Sequence, residues 1–337
     1  MLSNKRIAVA ILNYNGLELL KKFLPSVLKH SDKKLSSIYV IDNNSSDESV
    51  PFIAKTYPDI QIVKNDKNYG YAGGYNEGLK KIDTDYYVLL NNDVEVTENW
   101  LSPMFELLES DESFAACQPK IKYLKNKKLF DYAGGSGGFI DLLGYPFCRG
   151  RIFNSLEEDY GQYDDLKEVF WTSGCCFMIK SKIFNNLGGF DEDFFAHMEE
   201  IDLCWRLRNL QYKNFCQPKS VIYHSGGETL NKENPKKTFL NFRNNLTMIL
   251  KNDYLSIAIF KILIRLFLDI LGSIKISFDN NNIAHIGSVL RAYSEFILKI
   301  PITILKKRVS ILNYAKPKGI ILPFKYFIMK KKRFSDL

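Results

Sequence analysis

Four continuous apolar runs lie within the first hundred residues, and each one ends in amides or acids. "RIAVAIL" (6–12) leads into Asn13-Tyr14-Asn15, and "SIYVID" (37–42) ends on Asp42 before Asn43 and Asn44. "IQIVKN" (60–65) opens a polar stretch that reaches Asn68, and "DYYVLLNN" runs into Asp93 and Glu95. Strands that stay apolar without alternation are buried on both faces. Helical patterns separate them: "GLELLKKFLPSVLKH" over 16–30, "SDESVPFIAKTY" with Asp47 and Glu48 in its first turn, and a helix around 72–81. Such alternation predicts an α/β fold with a mostly parallel central sheet, and ligands of such sheets gather at the carboxyl ends of the strands. All four polar tips then share one rim. An acid at a buried strand tip is costly unless something positive neutralises it, so Asp93 asks for a partner.

The chain divides by charge. Residues 229–337 hold 20 Lys and Arg against 6 Asp and Glu, whereas the first 228 residues are net acidic. We therefore expect two parts, a body over 1–240 and a basic amphipathic helical region over 241–337. In the second part "LSIAIFKILIRLFLDILGSIKI" (255–276) carries Lys261, Arg265 and Asp269 four residues apart, a single charged stripe on an apolar helix. A second helix, "HIGSVLRAYSEFILKI", places Ile286, Val289, Leu290, Tyr293, Phe296, Ile297 and Ile300 on one side. Basic amphipathic helices lie in membrane interfaces; packing on the body and homodimer contact are the other readings, and central charges argue against a span. The closing "MKKKRFSDL" suits anionic head groups. Basic residues set between long apolar runs argue against nucleic acid. The six cysteines have no paired spacing and read as reduced thiols. No charged-then-apolar leader precedes "KRIAVAILNYNG", so a cytoplasmic protein is expected.

Three further features carry chemistry. Asp93, a hard oxygen ligand at a strand tip, suits Mg2+ or Mn2+, which bridge nucleotide phosphates. In "NYGYAGGYNEG" (68–78) the glycines let backbone approach a ligand, and the amides of the following helix would face an anion. The first strand lacks G-x-G-x-x-G, which excludes the dinucleotide fingerprint. Asp42 is placed either to accept from a base or ribose, or to cap the next helix. His224 in "VIYHSGGE" follows a short strand as a metal-ligand candidate. Glu199, Glu200 and Asp202 crowd the start of "MEEIDLCWRLR", where Asp202 and Arg206 are spaced to pair and leave a glutamate as general base.

"VAILNYNG", "VIDNNSSDES", "NYGYAGGYNEG", "LLNNDVEV", "GGFDEDFFAHMEEIDLCWRLR" and "VIYHSGG", in this order over about residues 5–245, resemble the family-2 glycosyltransferases, nearest to rhamnosyltransferase-like bacterial members that build surface polysaccharides. The resemblance implies the GT-A fold, a nucleoside-diphosphate sugar donor (UDP- or dTDP-linked) and inversion at the anomeric carbon. It assigns Asn13, Asn15 and Asp42 to the nucleotide, and Asn68, Gly70, Gly73 and Asn76 to its ribose and phosphates. Asn91-Asn92-Asp93 matches the D-x-D metal site, with Asn91 where many relatives have the first acid. His224 matches a histidine some relatives use on the metal, and Glu199-Glu200-x-Asp202 matches E-D-x-D, whose second acid is the usual base. Gly174, Asp191 and Trp171 fall on the acceptor side, although Trp171 also fits the core. The acceptor implied is a glycan or lipid-linked glycan at the inner face of the cell membrane. A sugar nucleotidyltransferase, or a non-catalytic nucleotide- or glycan-binding partner in polysaccharide assembly, is the alternative.

Overall fold

A computed structural model describes residues 6–226, 234–306, 311 and 314–337. The four expected strands are β1 (Ile7–Asn13), β2 (Ser36–Asp42), β3 (Gln61–Lys64) and β4 (Tyr86–Asn91), paired in parallel in the order β4-β1-β2-β3. The register sets Asn13 beside Asp42 and Leu12 beside Asn91, so the polar tips do share a rim. Helices α1 (Leu17–His30), α2 (Ser49–Thr56) and α3 (Gly70–Leu79) connect them. Leu20, Leu24, Val27 and Ile53 of α1 and α2 pack on one face of the sheet with Val9, Val40 and Val88. On the opposite face Ala72, Tyr75 and Leu79 of α3 meet Ala8, Ala10 and Leu89. Both faces are covered, as the unbroken apolar strands require.

Beyond β4 the sheet is mixed, which narrows the mostly parallel expectation to its first half. It continues through β5 (Val94–Val96), helix α4 (Ser102–Glu109) and β6 (Phe114–Tyr123). The glycine-rich middle folds into a small antiparallel sheet of β7 (Gly138–Ile140), β8 (Pro146–Cys148), β9 (Arg151–Ile152) and β10 (Ser155–Leu156). Then come β11 (Lys167–Val169), β12 (Cys176–Lys180), helices α5 (Ser181–Asn186) and α6 (Glu199–Asn209), and β13 (Lys213–His224). The chain enters β12 beside the tip of β4, where the Asn91 amide donates to Cys175 O at 2.9 Å. No helix carries it back to the other end first, so β12 must run antiparallel to β4. β13 lies parallel to β6, and β5 pairs antiparallel with β13, setting His224 across from Val94. All six cysteines are buried free thiols.

The remaining helices are α7 (Pro235–Asn252), α8 (Leu255–Asp279) and α9 (Ala284–Leu305). α7 spans the 240/241 boundary and packs on both α6 and α9, so it is shared by the two parts. The charged stripe of α8 turns inward: Lys261, Arg265 and Asp269 are buried against the body, the packing that the sequence left open as one reading. Each finds partners there, without which burial would be prohibitive. Lys261 meets Asp253 at 2.6 Å, and Arg265 meets Asp269 at 3.2 Å, bonds Asn245 and stacks on Tyr145. Tyr145 and Tyr293 donate to Asp269 at 2.5 and 2.8 Å. The one-sided reading of α9 is corrected: Val289, Tyr293 and Phe296 are buried, while Leu290 and Ile297 are more than half exposed. Asp269→Ala leaves three buried donors without their acceptor. We expect it to cost about 3–5 kcal/mol in urea unfolding.

Candidate active site

At the rim the strand tips satisfy one another. Asn13 Nδ2 donates to Ser45 and Ser49 at 3.2 and 3.0 Å, and its Oδ1 accepts from Asn92 at 3.2 Å. The contact needs Gly16, since a Cβ there would lie 2.4 Å from both amides. Asn15, with φ 48, accepts from the Ser46 amide at 2.8 Å. Asp42 takes the Ser45 amide at 3.3 Å, inside the turn before α2 and not at the helix cap. Asn43, which the motif reading passed over, is the hub: it donates to Asn68 Oδ1 at 3.0 Å and Gly70 O at 2.9 Å, and accepts from Asn65 at 3.1 Å.

Beyond Asn92 lies Asp93, only 2% exposed, with its Oδ1 3.2 Å from His224 Nε2. That oxygen makes no aligned hydrogen bond. The other imidazole nitrogen, Nδ1, is 2.9 Å from Asp131, a residue the sequence reading missed. Its only signal was an acid opening the glycine-rich "DYAGGSGG". Burial works against charge on His224, but Cys175, Asp131 and Asp93 outweigh it and hold the imidazole well above its ordinary pKa. The donor set suits a divalent cation. It offers one buried carboxylate and one imidazole whose far side is fixed by a carboxylate, as is usual for metal-bound histidines; a cation would take the place of the proton that Nε2 turns toward Asp93 Oδ1. Glu95 takes no part, being paired with Lys127 at 2.6 Å, and Asn91 brings no charge. No group of three His, Cys, Asp or Glu among the described residues forms a complete cation cage, so the phosphates of a ligand would have to complete the shell.

Cys175 and its neighbour Gly174 join this pair to the glutamates. The amide of Gly174 bonds the Glu200 carboxylate, and Tyr71 Oη donates to Gly174 O at 2.5 Å. Glu200 and Glu199 each keep one buried oxygen without a partner. Burial raises Glu200 to about 7 against the pull of these backbone amides. Burial, then the charge of Glu200, raises Glu199 well above the usual carboxylate range. Asp202 is fully committed elsewhere, to Arg206 and Lys251 at 2.9 Å and Asn252 at 2.7 Å, which supplies the pairing its spacing predicts.

The turn that delivers the glutamates is strained. Phe195, His197 and Met198 all have positive φ, at 61, 71 and 74°, each costing about 1–3 kcal/mol unless its surroundings hold it. What holds it is α7. Asn244 Nδ2 donates to the carbonyls of Phe194, Ala196 and His197 at 2.9, 2.9 and 2.7 Å. Arg243 donates to Asp193 O and Phe194 O at 2.9 and 3.2 Å, steadies the Asn244 amide at 2.8 Å, and reaches Glu295 of α9 at 2.8 Å. The run "NFRNN" was the sequence signal, an arginine among amides on an otherwise amphipathic helix.

Several expected contacts are spent internally. The Tyr71 and Ala72 amides at the start of α3, expected to face an anion, both donate to Phe195 O at 2.7 and 3.2 Å. Left-handed Phe195 turns its carbonyl onto the helix end, and Gly70 (φ 72) leaves room, since a Cβ there would lie 2.6 Å from Phe195. Gly73 backs onto Tyr69 in the same loop. Asn76 clamps the Phe190 peptide from both sides at 2.9 Å and also donates to Glu192. Asp191 lies against Lys251 and Lys306, which draw it down to about 2 although burial opposes them. Trp171 is a core residue, its indole packed on Gly138 and its Nε1 bonded to Phe139 O at 2.8 Å.

The family model "Glycosyl transferase family 2" matches residues 8–188, more than half of the chain. The chain belongs to glycosyl transferase family 2. It is thus a glycosyltransferase, and neither the nucleotidyltransferase nor the non-catalytic reading has support in these matches. It is similar to the low-salt glycan biosynthesis hexosyltransferase of Haloferax volcanii, 24% identical over 71% of this chain and 73% of that one. It is also similar to the N-acetylglucosaminyl-diphospho-decaprenol L-rhamnosyltransferase of Mycobacterium tuberculosis, 22% identical over 65% and 75%. Among solved structures, GalNAc-T7 with UDP, GalNAc and Mn2+ superposes with TM-score 0.60 at 17% identity over 95% of this chain, which spans 60% of that one. The Pyrobaculum calidifontis mannosyltransferase with GDP-Man and Mn2+ gives 0.54 at 13% identity over 87% of each. The fold is therefore that of the GT-A glycosyltransferases.

Removing the clamp tests its importance. Asn244→Ala should lower kcat by about 10²-fold, the scale of a misplaced reacting group, with a much smaller change in donor KM. Asn244→Asp should not rescue it, because a carboxylate repels the three carbonyls. Steady-state kinetics with both variants checks this.

Proposed function

We propose that this glycosyltransferase moves a sugar, with inversion, from a nucleoside-diphosphate donor to a hydroxyl of a lipid-linked glycan during bacterial surface polysaccharide biosynthesis. The observation that carries the reading is Glu200, a carboxylate with an unpartnered oxygen and a pKa raised to about 7, linked to the Asp93–His224 pair through the consecutive residues Gly174 and Cys175. A base of that strength is half deprotonated near neutrality and accepts a proton readily. Glu200 takes the proton of the acceptor hydroxyl, whose oxygen attacks the anomeric carbon on the face opposite the departing nucleoside diphosphate. Glu199, more strongly protonated, keeps its own charge from competing beside the base.

The donor nucleotide, UDP- or dTDP-linked, is assigned to the rim at Asn13, Asn15, Asp42 and Asn68; the side-chain bonds these residues make to one another hold the rim in shape, and a nucleotide that bonded them directly would have to exchange some of those bonds for its own. Asp93 and His224 would hold the cation, and a mixed carboxylate–imidazole pair suits Mn2+ better than Mg2+. When bound, that ion supplies neutralisation of the charge gathering on the leaving diphosphate. The acceptor class rests on the relatives' names, one of which specifies a diphospho-decaprenol carrier. An acceptor of that class would be met at the cytoplasmic face of the cell membrane.

Three measurements test the proposal. Glu200→Gln should cut transfer by about 10²–10⁴-fold while nucleoside-diphosphate binding persists; full transfer by this variant sinks the assignment of the base. In the unaltered enzyme kcat/KM should climb as pH rises through about 7 and then level, because Glu200 works deprotonated. Asp93→Ala should abolish the Mn2+-dependent part of nucleoside-diphosphate binding in calorimetry.

A further inference from the structure

Along α8, from Tyr254 to Ile274, no exposed residue carries a charge. Apart from Ala258 in the first turn, its buried positions are polar: Lys261, Arg265, Asp269, Ser273 and Ser277 recur every fourth residue. The outward side holds Phe260, Leu263 and Phe267 at 64, 66 and 66% exposure, with Leu266, Leu271 and Ile274 beside them. A helix that packs on a protein and faces water turns its apolar stripe inward; α8 is built the other way round. α9 packs against it after a short link and adds Leu290, Ile297, Leu298 and Leu305 to the exposed apolar surface. This uncharged outer face runs along about twenty residues, or about 30 Å of helix, far more apolar surface than a monomer in water leaves bare.

We propose that the outer face of α8 and α9 rests in the surface of an anionic lipid bilayer, with α8 lying in the membrane plane. Polar groups inside and hydrocarbon outside is the arrangement that a lipid surround selects. The polar side of α8 is fixed to the protein, and no helix among the described residues is long and apolar enough to cross a membrane, so the mode is in-plane seating. Charge selects the occupant. Residues 229–337 carry 20 basic against 6 acidic side chains. Exposed Phe324, Phe327, Ile328 and Met329 are followed at once by Lys330, Lys331, Lys332 and Arg333. That pairing complements anionic head groups, whereas a second copy of this chain would bring two such basic regions together. The inference rests on the proposed lipid-linked acceptor only for its purpose; the face itself follows from α8.

Flotation of the full-length protein with phosphatidylcholine vesicles, with and without phosphatidylglycerol, tests it. The protein should float with anionic vesicles, and less with neutral ones. Leu263→Asp combined with Phe267→Asp should lower the vesicle-bound fraction at least about tenfold, leaving the melting temperature and nucleoside-diphosphate binding unchanged. Phe267→Trp, a milder change, should give a blue-shifted emission on adding anionic vesicles. A protein that stays in the soluble fraction, a double variant that floats as well as the parent, or an unshifted tryptophan overturns the proposal. So does a dimer in light scattering that the double variant dissociates while neither form floats. Sugar transfer to a soluble acceptor analogue is read in parallel, so a protein that floats without transferring sugar leaves this surface standing and removes the proposed reaction instead.

Discussion

Asp93 is buried at the end of a strand, facing an imidazole that a second aspartate grips from behind. The arrangement depends on register: β5 folds back from the tip of β4 and pairs with β13, so His224 arrives opposite Val94. A slip of one residue would turn the imidazole to the other face of the sheet and leave a carboxylate buried alone. The mixed half of the sheet can be understood as the frame that makes this meeting possible. Because β12 runs antiparallel to β4, its first residues, and Gly174 and Cys175 just before them, come to the same rim. There Cys175 adjoins His224 and Gly174 adjoins Glu200.

The second half of the site is held from a distance. The turn 195–198 adopts a backbone that its own residues disfavour, and the amide of Asn244 and the guanidinium of Arg243 keep it there. Lys251 and Lys306 fasten Asp191 at the start of the same loop. The C-terminal helices therefore belong to the body in the physical sense: they hold the turn that carries Glu199 and Glu200. Through Glu295 the same network reaches α9, whose other side forms the apolar surface.

The parallel half of the fold was legible because unbroken apolar strands and polar tips are local patterns; that Asp93 and His224 share one place came from the family resemblance and not from any local pattern. Asp131 and Asn43 were not legible, since their importance lies in partners 93 and 25 residues away. Asn76, Trp171 and Asp191 illustrate the opposite case, where a motif position is occupied but its polar atoms serve the scaffold. The stripe on α8 shows why periodicity leaves a sign undetermined. Spacing by four located the two faces of the helix correctly and could not say which one meets solvent, because that depends on Asp253, Asn245 and Tyr145, which the spacing does not see.

Phe195 O closes the start of α3 while the ring of the same residue rests on Gly70. The loop expected to cradle the donor and the turn that carries the glutamates are thus a single mechanical piece, joined at one peptide. Displacing either would strip a helix of its terminal bonds. In the proposed reaction a nucleotide sugar on one side and an alcohol on the other would press on the same few atoms, so neither could settle without the other sensing it.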